Sequence, residues 1–164
     1  MNQELVDSFD VAILAILQAD NLTPQREIAE RVHLSPAAVQ RRIRRLQDGG
    51  VIAGNAAVLN PDALGRPLTI FIEVQLVNEL DALTAGFRAR VAQEEAVQQC
   101  YSVTGQTDYL LIVTAADMQE YQALTKRLFE GDQNIQRFVT SIALATLKRS
   151  LRLPLSLPPV RNSA

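Results

Sequence analysis

The chain is poor in the residues that build metal and disulfide sites. Its 164 residues include a single cysteine, Cys100, and a single histidine, His33. One thiol cannot close an internal disulfide, and these two side chains are too few ligands for a conventional zinc or iron site within one chain. We therefore expect neither a metal nor another cofactor, and we expect His33 to be a turn residue.

Long apolar runs are equally scarce. The longest, residues 11–17, has seven residues, whereas a helix needs roughly 18 to cross a bilayer. Acidic residues at positions 4, 7 and 10 stand where a signal peptide would be basic, so we expect a cytoplasmic protein with no membrane partner. Hydrophobic residues make up 48% and charged residues 21% of the chain, which excludes a disordered or collagen-like protein and favours packed cores.

The charge balance gives the chain no overall cationic character. Its formal net charge of −2 argues against binding to nucleic acid through bulk charge. The distribution is nevertheless uneven, because residues 31–47 hold five arginines and no acid, whereas the first thirty residues hold six acids and one arginine. The sequence therefore predicts a local basic surface on an otherwise acidic protein.

The first part of the chain, to about residue 60, has the pattern of consecutive short helices. Apolar residues recur at helical spacing over residues 10–19 and predict a first helix. A second helix is predicted to have Thr23 as its N-cap and Pro24 at its first position. It ends near His33, in a short turn where a residue with a left-handed backbone is often needed.

A third helix is bounded by start and stop signals. Ser35 is its expected N-cap, Pro36 opens it, and the glycines at positions 49 and 50 end it. Beyond them, residues 51–60 predict a short extended segment or a hairpin, followed by the breaks that mark a domain linker. Three short helices therefore follow one another closely before the linker.

The third helix separates an apolar side from a basic one. A stripe that starts at Val39 lies on one side of a helical wheel, whereas Arg41 and Arg44 fall on the opposite side. This is the layout of a recognition helix, in which Gln40 and Arg41 can reach base edges while small residues allow close approach. The residues expected to contact duplex DNA are Ser35, Ala37, Ala38, Gln40, Arg41, Arg42, Arg44 and Arg45.

Two of these arginines carry a further expectation. Arg42 lies near the border of the apolar stripe and would bond phosphate or a neighbouring helix. Arg45, like Arg41, lies outside the predicted core, so we expect its replacement by alanine to leave the fold intact. The alternative to DNA binding is a solvated arginine face, but such faces normally mix both signs, and here four arginines occupy five positions without an acid.

The second part of the chain alternates strand and helix patterns. Residues 68–103 read as strand, helix, strand, because period-two alternation changes to a helical stripe and then returns. Residues 109–147 repeat the same order. Such a pair predicts a ferredoxin-like βαββαβ sandwich with an antiparallel four-stranded sheet and both helices on one face. The other face needs a cover, and a second subunit is the natural one.

These patterns give three segments. We place a helix-turn-helix DNA-binding domain with its linker strand at residues 1–60, a ferredoxin-like domain at residues 61–150 and a tail at residues 151–164. The tail alternates four leucines with other residues and contains three prolines. It suits either an extended segment in a partner groove or a frayed terminus, and we expect the frayed terminus.

Several stretches share their order and spacing with a known family. Residues 6–14 look like its first helix, residues 34–46 like its recognition helix, and Asn60-Pro61 like the start of its linker. Residues 103–111 look like its effector-domain signature, in which a glycine and an aspartate bracket a tight loop. Over nearly its whole length the sequence therefore resembles the Lrp/AsnC family, the feast/famine regulators of bacteria and archaea.

The resemblance implies an α+β protein, with an N-terminal winged helix-turn-helix followed by a ferredoxin-like effector and oligomerisation domain. It also implies homodimers built by sheet-to-sheet packing, assembled further into tetramers or octamers, with a small effector, usually an amino acid, held between dimers. The glycine loop and the last strand would line the effector site, which maps onto Ser102, Val103, Gly105, Gln106, Asp108, Tyr109, Thr140, Ser141 and Ile142.

The chemistry of these residues suits a zwitterion. Exposed amides around Gly105 and the hydroxyls of Thr140 and Ser141 can donate to its carboxylate, and Asp108 can accept from its ammonium group. The alternative is that residues 105–108 form only a hairpin turn, with Asp108 bonding local amides.

The leading hypothesis for function is a sequence-specific transcriptional regulator whose paired recognition helices enter successive major grooves and respond to the effector. One alternative is an architectural protein that wraps DNA with low base specificity. Another is a stand-alone amino-acid sensor. We do not expect an enzyme, because the sequence offers no second histidine, no phosphate-binding glycine loop and no Ser/His/Asp set.

Overall fold

Three helices form the N-terminal unit of the computed structural model, which describes residues 6–156 of the chain. They are α1 (Ser8–Ala19), α2 (Gln25–Val32) and α3 (Pro36–Asp48), and residues 149–156 belong to the same unit. All three helices contribute to its small apolar core, which consists of Ile13, Ile28, Ala29, Val32 and Val39. The three helices predicted from the spacing of apolar residues are therefore confirmed.

The ends of these helices follow from local side-chain chemistry. Asp7 caps α1 by accepting from the Asp10 amide at 2.9 Å, and Asp10 accepts from the Asp7 amide at 3.1 Å, which completes a capping box. Ser35 caps α3 by accepting from the Ala38 amide at 3.2 Å, as predicted. His33 ends α2 in the left-handed region with φ 55°, so its predicted role as a turn residue is confirmed.

The N-cap predicted at Thr23 is wrong. Pro24 occupies the cap position of α2 and makes no side-chain capping hydrogen bond there. The hydroxyl of Thr23 instead donates to the carbonyl of Asp20 at 2.8 Å. The hydroxyl is therefore used by the turn that precedes α2 rather than by the helix itself.

The segment that follows α3 has no regular secondary structure. Within the part of the chain that the structure describes, residues 53–60 form no strand. Neither the hairpin that the sequence allowed nor a hydrogen-bonded linker strand is therefore present there. Val58 and Leu59 are 78% and 62% exposed, and among the described residues they pair with no strand and belong to neither apolar core. The short 3-10 turn Asp62–Leu64 then leads into the second unit.

The C-terminal segment is anchored to α1. The Leu153 amide donates to Oε1 of Gln18 at 2.7 Å, and Nε2 of Gln18 donates to the Leu153 carbonyl at 3.1 Å. The expectation of a frayed terminus is therefore wrong as far as Leu153, because one side-chain amide satisfies both backbone groups of that residue. Residues 157–164 of the predicted tail lie outside the described residues.

The second unit, Leu59–Lys148, is the predicted βαββαβ sandwich. Its strands are β1 (Leu68–Leu76), β2 (Val97–Ser102), β3 (Tyr109–Ala115) and β4 (Ile135–Ile142), and its helices are α4 (Asp81–Gln93) and α5 (Met118–Phe129). The strands pair antiparallel in the order β2-β3-β1-β4, which makes β2 and β4 the edges. The α+β ferredoxin-like fold is confirmed. None of the helices in residues 6–156 is long and apolar enough to span a membrane.

The two faces of this sheet differ in what covers them. Ile70, Ile72 and Val74 alternate along β1, are fully buried, and share one apolar core with residues of α4 and α5. Phe71 and Glu73 point to the opposite face, where no helix of the second unit packs. The strand register also places Tyr101, Leu110, Ile112 and Val139, among other residues, on this open sheet face.

Candidate DNA interface and effector pocket

The exposed side of α3 is fixed by what its other side buries. Val39 and Leu46 are 0% and 3% exposed, so the rotation of the helix about its axis is set by the core. Arg41 and Arg44 are exposed on the opposite side and Gln40 is exposed at its flank, and we call these three residues the basic face. Arg44 lies 3.9 Å from Asp48, but both side chains are exposed and such pairs contribute little. Of the other predicted DNA contacts on this helix, Ser35 and Ala37 are exposed and Ala38 is half-buried.

The other two arginines of α3 point into the N-terminal unit. Arg42 Nη1 donates to Oδ2 of Asp7 at 2.7 Å and to Oδ1 of Asp10 at 2.9 Å. Arg45 Nη2 donates to Oδ2 of Asp10 at 2.5 Å. The side chain of Asp10 has no exposed surface, and the guanidinium of Arg42 also lies 5.4 Å from the centre of the Phe9 ring. We call Asp7, Asp10, Arg42 and Arg45 the Asp10 network.

This network bears on the expectations for both arginines. Of the two partners considered for Arg42, phosphate or a neighbouring helix, the structure shows the neighbouring helix α1. Arg45 lies outside the apolar core, as expected, but it binds a fully buried carboxylate, so we expect its replacement by alanine to cost stability by leaving part of that carboxylate unpaired. The signal in the sequence was the Asp-x-x-Asp start of α1 opposite two arginines spaced three apart.

Acid should weaken the N-terminal unit through Asp7. Partial burial alone would raise the pKa of Asp7, but the Asp10 amide and the Arg42 guanidinium outweigh it and hold that pKa below its ordinary value. A carboxyl with a lowered pKa contributes stability that is present above its unfolded pKa of about 3.9 and is lost as the pH falls through its folded pKa. We expect the unfolding temperature to decrease as the pH is lowered below about 4. In the Asp7→Asn variant this decrease should be less steep. An identical acid dependence in that variant would contradict this role.

The residues expected to bind an effector fall at two separate places in the second unit. Residues 107–109 lie beside the last residues of β1, and Ser102 pairs with Tyr109. Residues 140–142 instead pair with the first half of β1. The hydroxyl of Thr140 is hydrogen-bonded to that of Tyr121. Because β1 and β3 separate the two edge strands, one chain does not bring the two groups together.

Hydrogen bonds to β1 hold the loop between β2 and β3. Oδ2 of Asp108 accepts from the Leu76 amide at 2.6 Å, and the hydroxyl of Thr107 donates to the Val74 carbonyl at 2.7 Å. The alternative to an effector site was a hairpin turn in which Asp108 bonds local amides. Asp108 does bond a backbone amide, but that amide belongs to the neighbouring strand β1. Gly105 is exposed with φ 131°, a conformation that favours glycine.

A cavity of about 510 Å³ opens between α4 and this loop, and we call it the α4 pocket. Its charged side chains are three carboxylates and the guanidinium of Arg88, which donates to Asp81 at 2.9 Å. Desolvation raises the pKa of the Cys100 thiol, which keeps it uncharged at neutral pH. The full lining consists of Leu76, Glu79, Asp81, Thr84, Arg88, Val91, Ala92, Cys100, Ser102, Val103, Asp108 and Tyr109.

Sequence reasoning found one wall of this pocket and missed the other. Ser102, Val103, Asp108 and Tyr109 were predicted, whereas the residues contributed by α4 were not. The lining residues of α4 are spaced by three and four positions from Asp81 onward, which is the spacing of a single helix face and could have indicated them. Gly105, Gln106 and residues 140–142 do not line the pocket of this chain.

Both units match families of known proteins. Residues 6–53 match the winged helix-turn-helix DNA-binding family, and residues 69–153 match the Lrp/AsnC ligand binding domain. The chain belongs to the Lrp/AsnC family. The assignment that the motifs of the sequence implied is therefore confirmed, together with its order of an N-terminal DNA-binding domain and a C-terminal ligand-binding domain.

Relatives of this Lrp/AsnC protein align over almost its whole length. An uncharacterized HTH-type transcriptional regulator of Sinorhizobium fredii is 36% identical over 152 residues, which are 93% of this chain and 90% of that protein. A Neisseria meningitidis transcriptional regulator solved with L-Met is 31% identical with a TM-score of 0.83, covering 90% and 96% of the two chains. The Mycobacterium tuberculosis feast or famine regulatory protein complexed with L-methionine is 32% identical with a TM-score of 0.80, covering 93% and 99%.

Proposed function

We propose that this Lrp/AsnC protein is a sequence-specific transcriptional regulator that binds duplex DNA through the basic face of α3. The observation that carries this proposal is the fixed rotation of the helix, since burial of Val39 and Leu46 turns Gln40, Arg41 and Arg44 outward. Guanidinium groups pair with guanine and side-chain amides pair with adenine in the major groove. The basic face therefore has the chemistry to read bases as well as to contact phosphates.

The salt dependence of DNA binding tests this proposal. If each subunit of a dimer places Arg41 and Arg44 on DNA, the two subunits make about four contacts, and the log-log slope of affinity against salt should be roughly −4. A slope near zero would contradict it. Affinities for DNA upstream of the protein's own gene and for random-sequence DNA then distinguish a specific regulator from an architectural protein, for which the two would be equal.

The open sheet face supports a homodimer in which the sheets of two copies face each other. Phe71, Tyr101 and Val139 are 36%, 50% and 40% exposed on this face, and contiguous apolar patches of this kind mark interaction sites. A two-fold arrangement would bring the same patch of each copy together and remove both from water. Such dimers could then assemble into tetramers or octamers.

The Phe71→Asp variant should be monomeric. Burying an unpaired carboxylate in an apolar contact costs several kcal/mol, so the dimer Kd should rise at least about a hundredfold. Analytical ultracentrifugation measures this directly. Leu83→Asp is the matched control, because Leu83 is 49% exposed on α4 and away from the open sheet face. A Phe71→Asp protein that stays dimeric would exclude this face as the interface.

An amino acid is the effector that the pocket suits best. The guanidinium of Arg88 can bind a carboxylate, and Glu79 and Asp108 can accept from an ammonium group. The two solved relatives that carry L-methionine support this ligand class. The surplus of carboxylates in the lining favours an amino acid whose side chain also donates hydrogen bonds. Residues 140–142 of a second copy would complete the site, because one chain does not bring them to the pocket.

Thermal-shift screening of the twenty amino acids should identify the effector. A ligand at a hundred times its Kd stabilises the folded protein by about 2.7 kcal/mol, which raises the unfolding midpoint by several degrees. We expect Arg88→Ala to abolish the shift. Arg127→Ala removes an exposed arginine from α5 and should leave it unchanged. The proposed ligand site is wrong if no amino acid raises the unfolding midpoint. It is also wrong if an amino acid raises the midpoint of the Arg88→Ala variant as much as that of the parent protein.

A further inference from the structure

We infer that Asp10, with Asp7, is a positioning residue for DNA recognition. The Asp10 network keeps Arg42 and Arg45 directed into the N-terminal unit and so restricts the cations that α3 presents to DNA to those of the basic face. This inference rests on the proposed binding of DNA through α3. It gives α1 a role in DNA binding although α1 contributes no residue to the basic face.

The carboxylates of the network are engaged on every oxygen. In Asp10, one oxygen accepts from the Asp7 amide and from Arg45, and the other accepts from Arg42. In Asp7, one oxygen accepts from the Asp10 amide and the other from Arg42. These hydrogen bonds to Asp7 and Asp10 raise the pKa of Arg42. The two carboxylates therefore bind both guanidiniums within a single cluster.

Burial separates these pairs from the pair on the outer side of α3. The side chain of Asp10 is 0% exposed and that of Arg42 is 22% exposed, whereas Arg44 and Asp48 are 83% and 75% exposed. Charge pairs with little access to water attract each other more strongly than exposed pairs. If Arg42 turned to a phosphate, the fully buried Asp10 would lose one of the guanidiniums that compensate its charge. Arg44 can leave Asp48 for DNA at little cost.

The number of available cations decides how strongly a protein binds DNA of any sequence. Each phosphate that the protein neutralises increases the non-specific affinity and its salt dependence. The affinity gained from base contacts depends only on the residues that reach the groove. The Asp10 network binds two of the four arginines clustered on α3, so they do not contact phosphates. It thereby lowers the sequence-independent part of the affinity. The basic face then determines more of the discrimination between sites.

Asp10→Asn tests this role through the salt slope on random-sequence duplex DNA. The substitution keeps the size of the side chain and removes its charge, so each subunit gains one net positive charge beside α3. We expect the slope of a dimer to become more negative by about 2, at roughly 0.9 for each added contact. Glu30→Gln makes the same change in net charge on α2, where Glu30 pairs with Arg26 in solvent, and its slope should change by less than about half as much.

A second variant keeps the test decisive if Asp10→Asn does not fold. Asp7 is 45% exposed in its pair with Arg42, so Asp7→Asn removes the outer part of the same network at a smaller cost to folding. Its slope should also become more negative than that of Glu30→Gln. A folded variant of either residue with the slope of the parent protein would overturn the inference. A parent protein whose own slope is near zero would instead overturn the proposed DNA binding.

Discussion

Replacing Arg41 and Arg44 together by alanine is expected to weaken binding to duplex DNA at least about a hundredfold. Each guanidinium removed from a base or phosphate costs about 1–3 kcal/mol, and every 1.4 kcal/mol is roughly a factor of ten in affinity. The fold should survive, because both side chains are exposed and neither belongs to the apolar core of the unit. Fluorescence anisotropy at one fixed salt concentration measures the loss, and a thermal melt confirms the fold.

A matched variant separates this effect from a general loss of charge. The Lys126→Ala/Arg127→Ala protein also loses two positive charges, from the exposed surface of α5 in the second unit. We expect its affinity for DNA to change by less than about threefold, since these charges do not belong to the recognition helix and salt screens exposed charges that make no direct contact. Equal losses in the two double variants would show that α3 has no special part in binding.

Asp10→Ala should lower the free energy of unfolding by about 3 kcal/mol. Removing one partner of a buried ion pair costs about 3–5 kcal/mol, because the remaining charge is left without compensation. The lower end applies here, since Arg42 and Arg45 are 22% and 38% exposed and can turn partly toward water. The substitution also removes one half of the capping box at the start of α1.

Urea denaturation at a fixed protein concentration measures this change, because the stability of an oligomer depends on concentration. Glu30→Ala serves as the control. Its pair with Arg26 is exposed, with 69% and 87% of the two side chains in solvent, and its loss should cost less than about 1 kcal/mol. If Asp10→Ala costs no more than the control, the network contributes nothing to the packing of α1 on α3.

The features that sequence reasoning predicted well depend on neighbours along the chain. The alternation of apolar residues along β1 and the start of α3 at Ser35 and Pro36 are local patterns, and the structure has both. The outward position of Arg41 follows from the same helical spacing once Val39 is buried. Local periodicity was therefore enough for the fold and for the centre of the basic face.

The Asp10 network could not be derived in the same way. Asp10 and Arg45 are 35 positions apart, and only the packing of α1 against α3 brings them into contact. The uneven charge distribution was visible in the sequence, but spacing along one helix does not show that acids of another helix neutralise two of its arginines. Both the cost of replacing Arg45 and the smaller number of cations for DNA follow from that contact.

The effector site shows the same limit at the level of the sheet. The loop after β2 and the end of β4 were grouped as one site, yet the strand order places β2 and β4 at opposite edges. The contribution of Arg88 depends on how α4 packs beside that loop, which strand and helix patterns do not specify. The site can therefore be assembled only from the tertiary structure, and across more than one copy of the chain.

Photo-crosslinking from α3 tests most directly whether its basic face contacts DNA. A photoreactive side chain placed at Gln40 should crosslink to bases of the bound duplex, and the same side chain at Lys126 should not. Crosslinks from position 40 to another subunit, with none to DNA while the complex is formed, would contradict the proposed interface.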